Sequence, residues 1–224
     1  MSATARRVFP PAPTTPRALL LRAHPLPDSF NSALADAWQA GAESAGATVQ
    51  TLDVHELRFD PALLMAHRES MPLEPDLQRV QRELAACAHL TIAYPVWWGS
   101  TPALLKGLFD RVLQPGWAYA MGAGVFPDKG LSGRTGRLLV TMDTPGWYAS
   151  LVYGASARKQ VQRATLHFVG IAPTRVDLFA PIEKTTPAQR DKMLKQAQAA
   201  GRKDGARLLA RFPGQRQALG SNDC

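Results

Sequence analysis

Apolar positions along the chain alternate between short runs of strand length and longer stripes at helical spacing. Residues 18–23 form a run of strand length, closed by His24-Pro25-Leu26-Pro27. Ser29 then predicts an N-cap for a helix to about Ser44, with Ala33, Leu34, Ala37 and Trp38 on its inner face and Gly46 just past its end. From Thr48 to Val54, the apolar Val49, Leu52 and Val54 alternate with polar residues as in a half-buried strand. Pro61, Pro72 and Pro75 break up residues 55–75, after which Leu77, Val80, Leu84 and Cys87 make a second helical stripe. His89 to Tyr94 reads as a buried strand stopped by Pro95. Thr101 as N-cap and Pro102 at the first helical position predict a sharp helix start, followed by the pairs Leu104/Leu105, Leu108/Phe109 and Val112/Leu113. Residues 114–135 read as one long loop, 136–142 as a strand, 155–169 as a helix, 174–180 as a strand, and 187–212 as a charged helix.

Five strands with helices between them imply a parallel sheet covered on both faces, a three-layer doubly wound α/β fold. Right-handed crossovers make 2-1-3-4-5 the natural order of the five strands. In such sheets ligands bind beyond the carboxyl ends of the strands where the winding reverses. Attention therefore falls on the loops after Ala23, Tyr94 and Met142.

Composition narrows the classes. The chain has 224 residues, 46% of them hydrophobic, enough for one domain, expected over 17–212. The Pro- and Arg-containing residues 1–16 are set aside as a disordered tail, and 213–224 as a polar one. Lys and Arg outnumber Asp and Glu by 26 to 18, a charge of +8 that suits anionic ligands without choosing among them. Cys87 and Cys224 are too few for a disulfide framework, which points to a reducing compartment, the cytoplasm. No apolar stretch is long enough to span a bilayer. His55, His67 and His89 lack metal-ligand spacing, so no metal site is expected. Lys106 and Arg111 read as solvated or ion-paired surface charge, and the basic positions of the last helix as a solvated face.

The three loops carry the chemistry. The first, His24 to Asn31, leads into a helix whose N-terminus suits a phosphate, with Ser29 and Asn31 as short polar neighbours and His24 as a further donor. It contains neither a G-x-G-x-x-G nor a P-loop signature. The second, Tyr94 to Pro102, holds Trp97 and Trp98, two large aromatic surfaces that would wall a planar polycyclic ligand. The third, Asp143-Thr144-Pro145-Gly146-Trp147-Tyr148, again sets turn residues beside aromatics after a strand.

These residues resemble the NAD(P)H:quinone oxidoreductase family, a flavodoxin-like group that includes DT-diaphorase, the modulator-of-drug-activity proteins and ancillary reductases of potassium efflux systems. The resemblance rests on His24-Pro25, Ser29-Phe30-Asn31, Tyr94-Pro95 through Trp98, and Pro102 through Val112 with Lys106-Gly107 and Phe109-Asp110-Arg111. Ala118-Tyr119, Asp128-Lys129-Gly130 and His167-Phe168-Val169-Gly170 continue it in order, over about 17–180. It implies a flavin, FAD or FMN, with its phosphate against His24, Ser29, Phe30 and Asn31. The ring edge would lie on Pro95, Val96, Trp97, Trp98 and Gly99, with further contacts from Asp143, Thr144, Pro145 and Gly146. Tyr119 matches a tyrosine on the substrate side and Tyr148 an active-site tyrosine. Pro145 replaces a glycine of DT-diaphorase, the loop is shorter, and the histidine that follows the tyrosine there has no counterpart between Tyr148 and His167.

The implied activity is two-electron transfer from NAD(P)H to a quinone or similar aromatic acceptor, in ping-pong order in one pocket, with hydride passing through the flavin. Backbone N–H groups of residues 144–147 are expected to stabilise the charge that reduction creates, and Tyr148 to donate or orient a proton. The resemblance also implies a homodimer with residues 114–130 helping to close the site. The competing class is a flavin-binding ancillary subunit of a potassium efflux or other partner system. Nucleic-acid binding has only the net charge in its favour.

Overall fold

The computed structural model describes residues 7–66, 71–122 and 124–213; His67 and the tail from 214 onward lie outside the described residues. Five strands form one parallel sheet: β1 (Arg17–Arg22), β2 (Thr48–Asp53), β3 (His89–Pro95), a long strand Arg134–Thr141 and a last strand Ile171–Phe179. Two short strands, β4 (Tyr119–Ala120) and β5 (Asp128–Lys129), pair antiparallel within the stretch read as one loop, so the long strand is β6 and the last is β7. The sheet order is β2-β1-β3-β6-β7, the expected doubly wound arrangement. Its register sets Leu20 opposite Thr51 and Thr91, and Leu138 opposite Ile92 and Val176.

Side chains of a strand point alternately to the two faces. Leu20, on one face, packs with Leu34, Trp38, Leu139, Phe179 and Leu208 beneath helices α1 (Phe30–Ser44) and α6 (Pro187–Arg211). Leu19 and Leu21, on the other, join Leu77, Leu84, Leu105, Leu108, Val161 and Leu166 beneath α2 (Pro75–Ala86), α3 (Ala103–Val112) and the π-helical turn Gln160–His167. Ser29 caps α1 by accepting from the Ser32 N–H. For α3 the cap is Pro102, one residue later than the sequence predicts, because Pro102 itself keeps an extended ψ of 140°.

Two further differences concern charge and termini. Arg111 is buried rather than solvated: its guanidinium bonds Glu74 at 2.8 Å, the Pro72 carbonyl at 2.9 Å and the Asp60 carbonyl, tying the irregular stretch 55–75 to α3. Lys106 does pair locally, with Asp110 at 2.6 Å. The segment 7–16, set aside as tail, lies against the domain: the Val8 N–H donates to the Gly116 carbonyl at 2.9 Å and Arg134 donates to the Pro11 carbonyl at 2.9 Å.

Helices α1 and α6 approach backbone to backbone. A Cβ at Gly201 would overlap the Trp38 carbonyl, and one at Gly41 the Gln198 carbonyl. Gly201→Ala should therefore destabilise the fold by about 3 kcal/mol, the upper end of the usual range for overpacking. A urea midpoint within experimental error of wild type would refute this contact.

His89 lies under this helix pair, stacked on Trp38 at 5.8 Å with Nδ1 2.7 Å from the Thr135 hydroxyl. Burial lowers its pKa to about 4 against the pull of Asp204, and Arg137, Arg175 and Arg211 push the same way as burial. The unfolded imidazole titrates near 6.5. A histidine depressed in the folded state contributes full stability above 6.5, and that stability is lost as pH falls from about 6.5 to about 4. His89→Gln should flatten the decline of folding stability across that window, measured by urea unfolding at pH 7, 5.5 and 4.5.

Candidate functional site

The carboxyl ends of β1, β3, β6 and β7 bring the three loops to one edge. His24 meets Trp97 edge-on at 5.8 Å, joining the first loop to the second. His24 Nδ1 lies 3.1 Å from the Leu26 N–H and 3.3 Å from the Leu26 carbonyl, which turns the ring back onto its own loop. Asn31 Nδ2 donates to Thr141 Oγ1 at 3.1 Å, and the Val96 N–H donates to the Thr141 carbonyl at 2.8 Å, so both loops are tied to the end of β6.

A cavity of about 610 Å³ opens here. Its walls are Val96, Trp98 and Gly99 from the second loop, Met142, Asp143, Thr144 and Leu178 at the strand ends, and Ala149, Ser150, Tyr153 and residues 155–158 beyond the third loop. That volume falls within the usual range for small-molecule and cofactor sites. The opposite wall is where the structure departs most from the sequence reading. Gly146–Leu151 is a short helix, α4, capped by Pro145, and Ser156–Lys159 is another, α5, running into the π-helical turn. Three hydrogen bonds hold α5 against the second loop and the sheet. The Ser156 hydroxyl donates to the Gly99 carbonyl at 3.1 Å, the Ser100 hydroxyl to Gln160 Oε1 at 3.4 Å, and the Tyr94 hydroxyl to the Ala157 carbonyl at 3.4 Å.

Of the residues singled out from sequence, Val96, Trp98, Gly99, Asp143 and Thr144 line this cavity. Trp98 is fully exposed and held at φ +51°, a left-handed conformation unusual for a bulky residue, and Gly99 follows at φ +71°. Asp143 is fixed by accepting from the Glu183 N–H at 2.7 Å. His24, Ser29 and Asn31 before and at the start of α1, and Pro95 as the buried last residue of β3, are outside the lining, though Asn31 is bonded to Thr141 at the end of β6. Other positions lie apart. Phe30 turns toward α6, with the Arg190 guanidinium 5.2 Å above its ring. Trp97 and Tyr148 are outside the cavity lining; Tyr148 packs edge-on between Trp147 and Tyr153, at 5.6 and 5.5 Å. Pro145 and Gly146 form the start of α4. Tyr119 lines a second cavity of about 300 Å³ with Lys106, Phe109 and Phe168, its ring 5.0 Å from Phe168, and burial raises the pKa of its hydroxyl.

Tyr153, Ser156 and Arg158 line the cavity without having been singled out. The only signal for them in the sequence is nearness to the third loop, since Tyr153 follows no strand and Arg158 reads as an ordinary helix cation. Among the described residues no cluster of His, Cys, Asp and Glu could hold a metal, and no helix is long and apolar enough to cross a membrane.

The residues present fit a flavin. An apolar wall at Val96 and Trp98 faces polar strand ends at Asp143 and Thr144, and two buried polar atoms on these loops, Asn31 Oδ1 and Thr101 Oγ1, have no protein partner.

A family model described as the flavodoxin-like fold matches residues 16–203. The NAD(P)H dehydrogenase (quinone) 1 of Cavia porcellus is 28% identical over 205 residues, covering 80% of this chain and 73% of that relative. The crystal structure of Smu.1420 from Streptococcus mutans UA159 superposes with a TM-score of 0.73 at 26% identity, covering 84% of this chain and 99% of the other. An FMN-dependent NADH-azoreductase from Bacillus anthracis, solved in complex with FMN, shares the fold with a TM-score of 0.60 at 18% identity, covering 86% of this chain and 98% of the other. The strand order and these matches together establish that the chain belongs to the flavodoxin-like family that includes the NAD(P)H:quinone oxidoreductases.

Proposed function

We propose that the protein is a flavin-dependent NAD(P)H oxidoreductase that passes two electrons, as hydride, to a quinone or similar aromatic acceptor by a ping-pong sequence. The observation that carries this reading is the cavity of about 610 Å³ at the carboxyl edge of the sheet, with Trp98 as one wall and the β6 strand end as its base. A bound flavin supplies the ring that accepts and returns the hydride.

The chain's own residues then have separable tasks. The first N–H groups of a helix have no intrahelical partner, so those of Phe30 and Asn31 are available to a phosphate. The Ser29 hydroxyl is already engaged by the Ser32 N–H and the Asn31 amide by Thr141, and these bonds position the loop. Val96 and Trp98 exclude water from one side of the site, and the backbone at Gly99 lets a ring pass close by. Of residues 144–147, Pro145 has no N–H, so Thr144, Gly146 and Trp147 remain as donors toward negative charge developing on reduction. Tyr148, packed between Trp147 and Tyr153 outside the cavity lining, would have to turn inward to hold or deliver a proton, and Tyr119 would border an acceptor reaching the second cavity.

Exposed apolar side chains surround both cavities: Met121, Val125 and Phe126 near Tyr119, and Trp147, Leu151, Val152 and Tyr153 near the main site. A second copy of the chain covering them would shield the site from water, so a homodimer belongs to this reading, as does the cytoplasmic setting expected from the two cysteines. No observation favours the efflux-subunit alternative.

The test is an absorbance spectrum of the purified protein with mass spectrometry of the released chromophore, followed by NADH or NADPH oxidation with a soluble benzoquinone. A flavin spectrum and quinone-dependent turnover are expected. A protein that stays colourless after incubation with FMN and FAD would refute the proposal.

A further inference from the structure

We propose that residues 7–13 are a strap that fixes the turn 114–119 and thereby positions Tyr119 beside the acceptor, an inference that rests on the functional reading above. The match to the family model begins at residue 16, yet the chain before it makes specific contacts with the body of the protein. The Val8 N–H donates to the Gly116 carbonyl at 2.9 Å, while the Gly116 N–H donates to the Tyr119 carbonyl at 2.7 Å. One peptide turn, held at φ +86° by Gly116, therefore links the strap directly to Tyr119.

The strap is anchored on both sides of Val8. Arg7 pairs with Asp128 at 2.6 Å, and Asp128 is the strand partner of Ala120, next to Tyr119. Both charges of that pair are half exposed, so it steers the strap more than it holds it. The firm anchor is Arg134, fully buried and without a carboxylate partner among the described residues. Its N–H groups go to the Leu84 carbonyl at 2.9 Å, the Ala85 carbonyl at 2.7 Å, the Ser132 carbonyl at 3.3 Å and the Pro11 carbonyl at 2.9 Å. The first two are carbonyls at the end of α2, where a cation is favoured by the helix dipole. Pro10, Pro11 and Pro13 keep the segment extended even when free, so little conformational entropy opposes its docking.

Tyr119 has no regular element of its own to hold it beyond the two-residue strand β4. Its ring borders the cavity of about 300 Å³ between α3 and the π-helical turn. Fixing its backbone from outside is what a short strand cannot do alone.

The full-length variant Arg7→Ala/Val8→Pro removes the ion pair and the N–H donor while leaving flavin contacts untouched. Tryptic cleavage after the exposed Lys129, the strand partner of Tyr119, should become at least fivefold faster, and KM for a soluble benzoquinone should rise at least threefold with flavin content unchanged. Arg7→Lys alone should keep cleavage and KM at wild-type values. Cleavage within twofold of wild type overturns the strap, and faster cleavage with an unchanged quinone KM overturns its action on Tyr119. If wild-type protein neither binds flavin nor oxidises NADH or NADPH, the functional reading fails, and the cleavage rates still decide whether the strap exists.

Discussion

Asp204→Ala should lower the folding free energy by about 3–5 kcal/mol, the usual cost of removing one partner from a buried ion pair. The Asp204 carboxylate is almost wholly buried between α6 and the sheet. It accepts from Arg137 Nη2 at 3.1 Å and also from Arg137 Nε, from Trp38 Nε1 at 3.2 Å, and from Arg207 at 3.3 Å. Burial pushes its pKa up, but the guanidinium of Arg137 and the other donors outweigh this and hold it below the ordinary carboxylate range. Arg137 is itself buried and also bonds Asp177, and its pKa is raised despite burial, so the pair stays ionised. Removing the carboxylate leaves the guanidinium desolvated with one partner in place of two. The double variant Arg137→Met/Asp204→Leu, which removes both charges, should recover most of the loss. Urea unfolding of the three proteins separates the outcomes. If Asp204→Ala unfolds within 1 kcal/mol of wild type, the cluster holds no net charge interaction of consequence.

The strands and long helices of this fold were legible because each is bounded by its own punctuation. The run after Arg17 ends at Pro25, and β3 ends at Pro95. The start of α6 carries a capping box of Thr186 and Gln189. The order of the sheet followed from right-handed crossovers combined with the five-stranded, flavodoxin-like winding. What escaped depends on contacts between distant segments. Arg111 looks like an exposed helix cation until residues 60, 72 and 74 wrap around it, and nothing in those irregular residues announces the meeting. The same holds for the wall of the site. Pro145-Gly146-Trp147-Tyr148 has turn composition, and α4 forms there because Pro145 supplies an extended cap and the chain beyond is pinned by Ser156, Gln160 and Ala157 to other loops. Positions whose role comes from strand ends, such as Val96 and Thr144, were therefore easier to find than Arg158, whose place is set by tertiary hydrogen bonds.

Trp98→Gly should stabilise the unliganded protein and weaken its hold on flavin, two effects of opposite sign from one substitution. At φ +51° the tryptophan occupies a left-handed conformation that costs an ordinary L-residue roughly 1–2 kcal/mol and glycine almost nothing. Its side chain recovers none of that in the unliganded chain, because the indole is fully exposed and packs on nothing. Strain of this kind, at a rim where no fold contact requires it, is what the proposed function expects of a residue that contacts the bound ring. In the proposed function, the indole would become one wall of the cavity once a planar ring fills it. Loss of that aromatic contact and the area it buries should cost about 2 kcal/mol, a roughly 30-fold rise in Kd. Trp98→Phe keeps a ring at the same strained position and should retain most of the affinity without the gain in stability. Fluorescence titration with FMN and with FAD, beside thermal unfolding of the flavin-free protein, reads the two effects independently. If Trp98→Gly gains stability and binds flavin as tightly as wild type, the indole is no wall of the site, and the large cavity must hold its ring by Val96, Thr144 and the opposite helices alone.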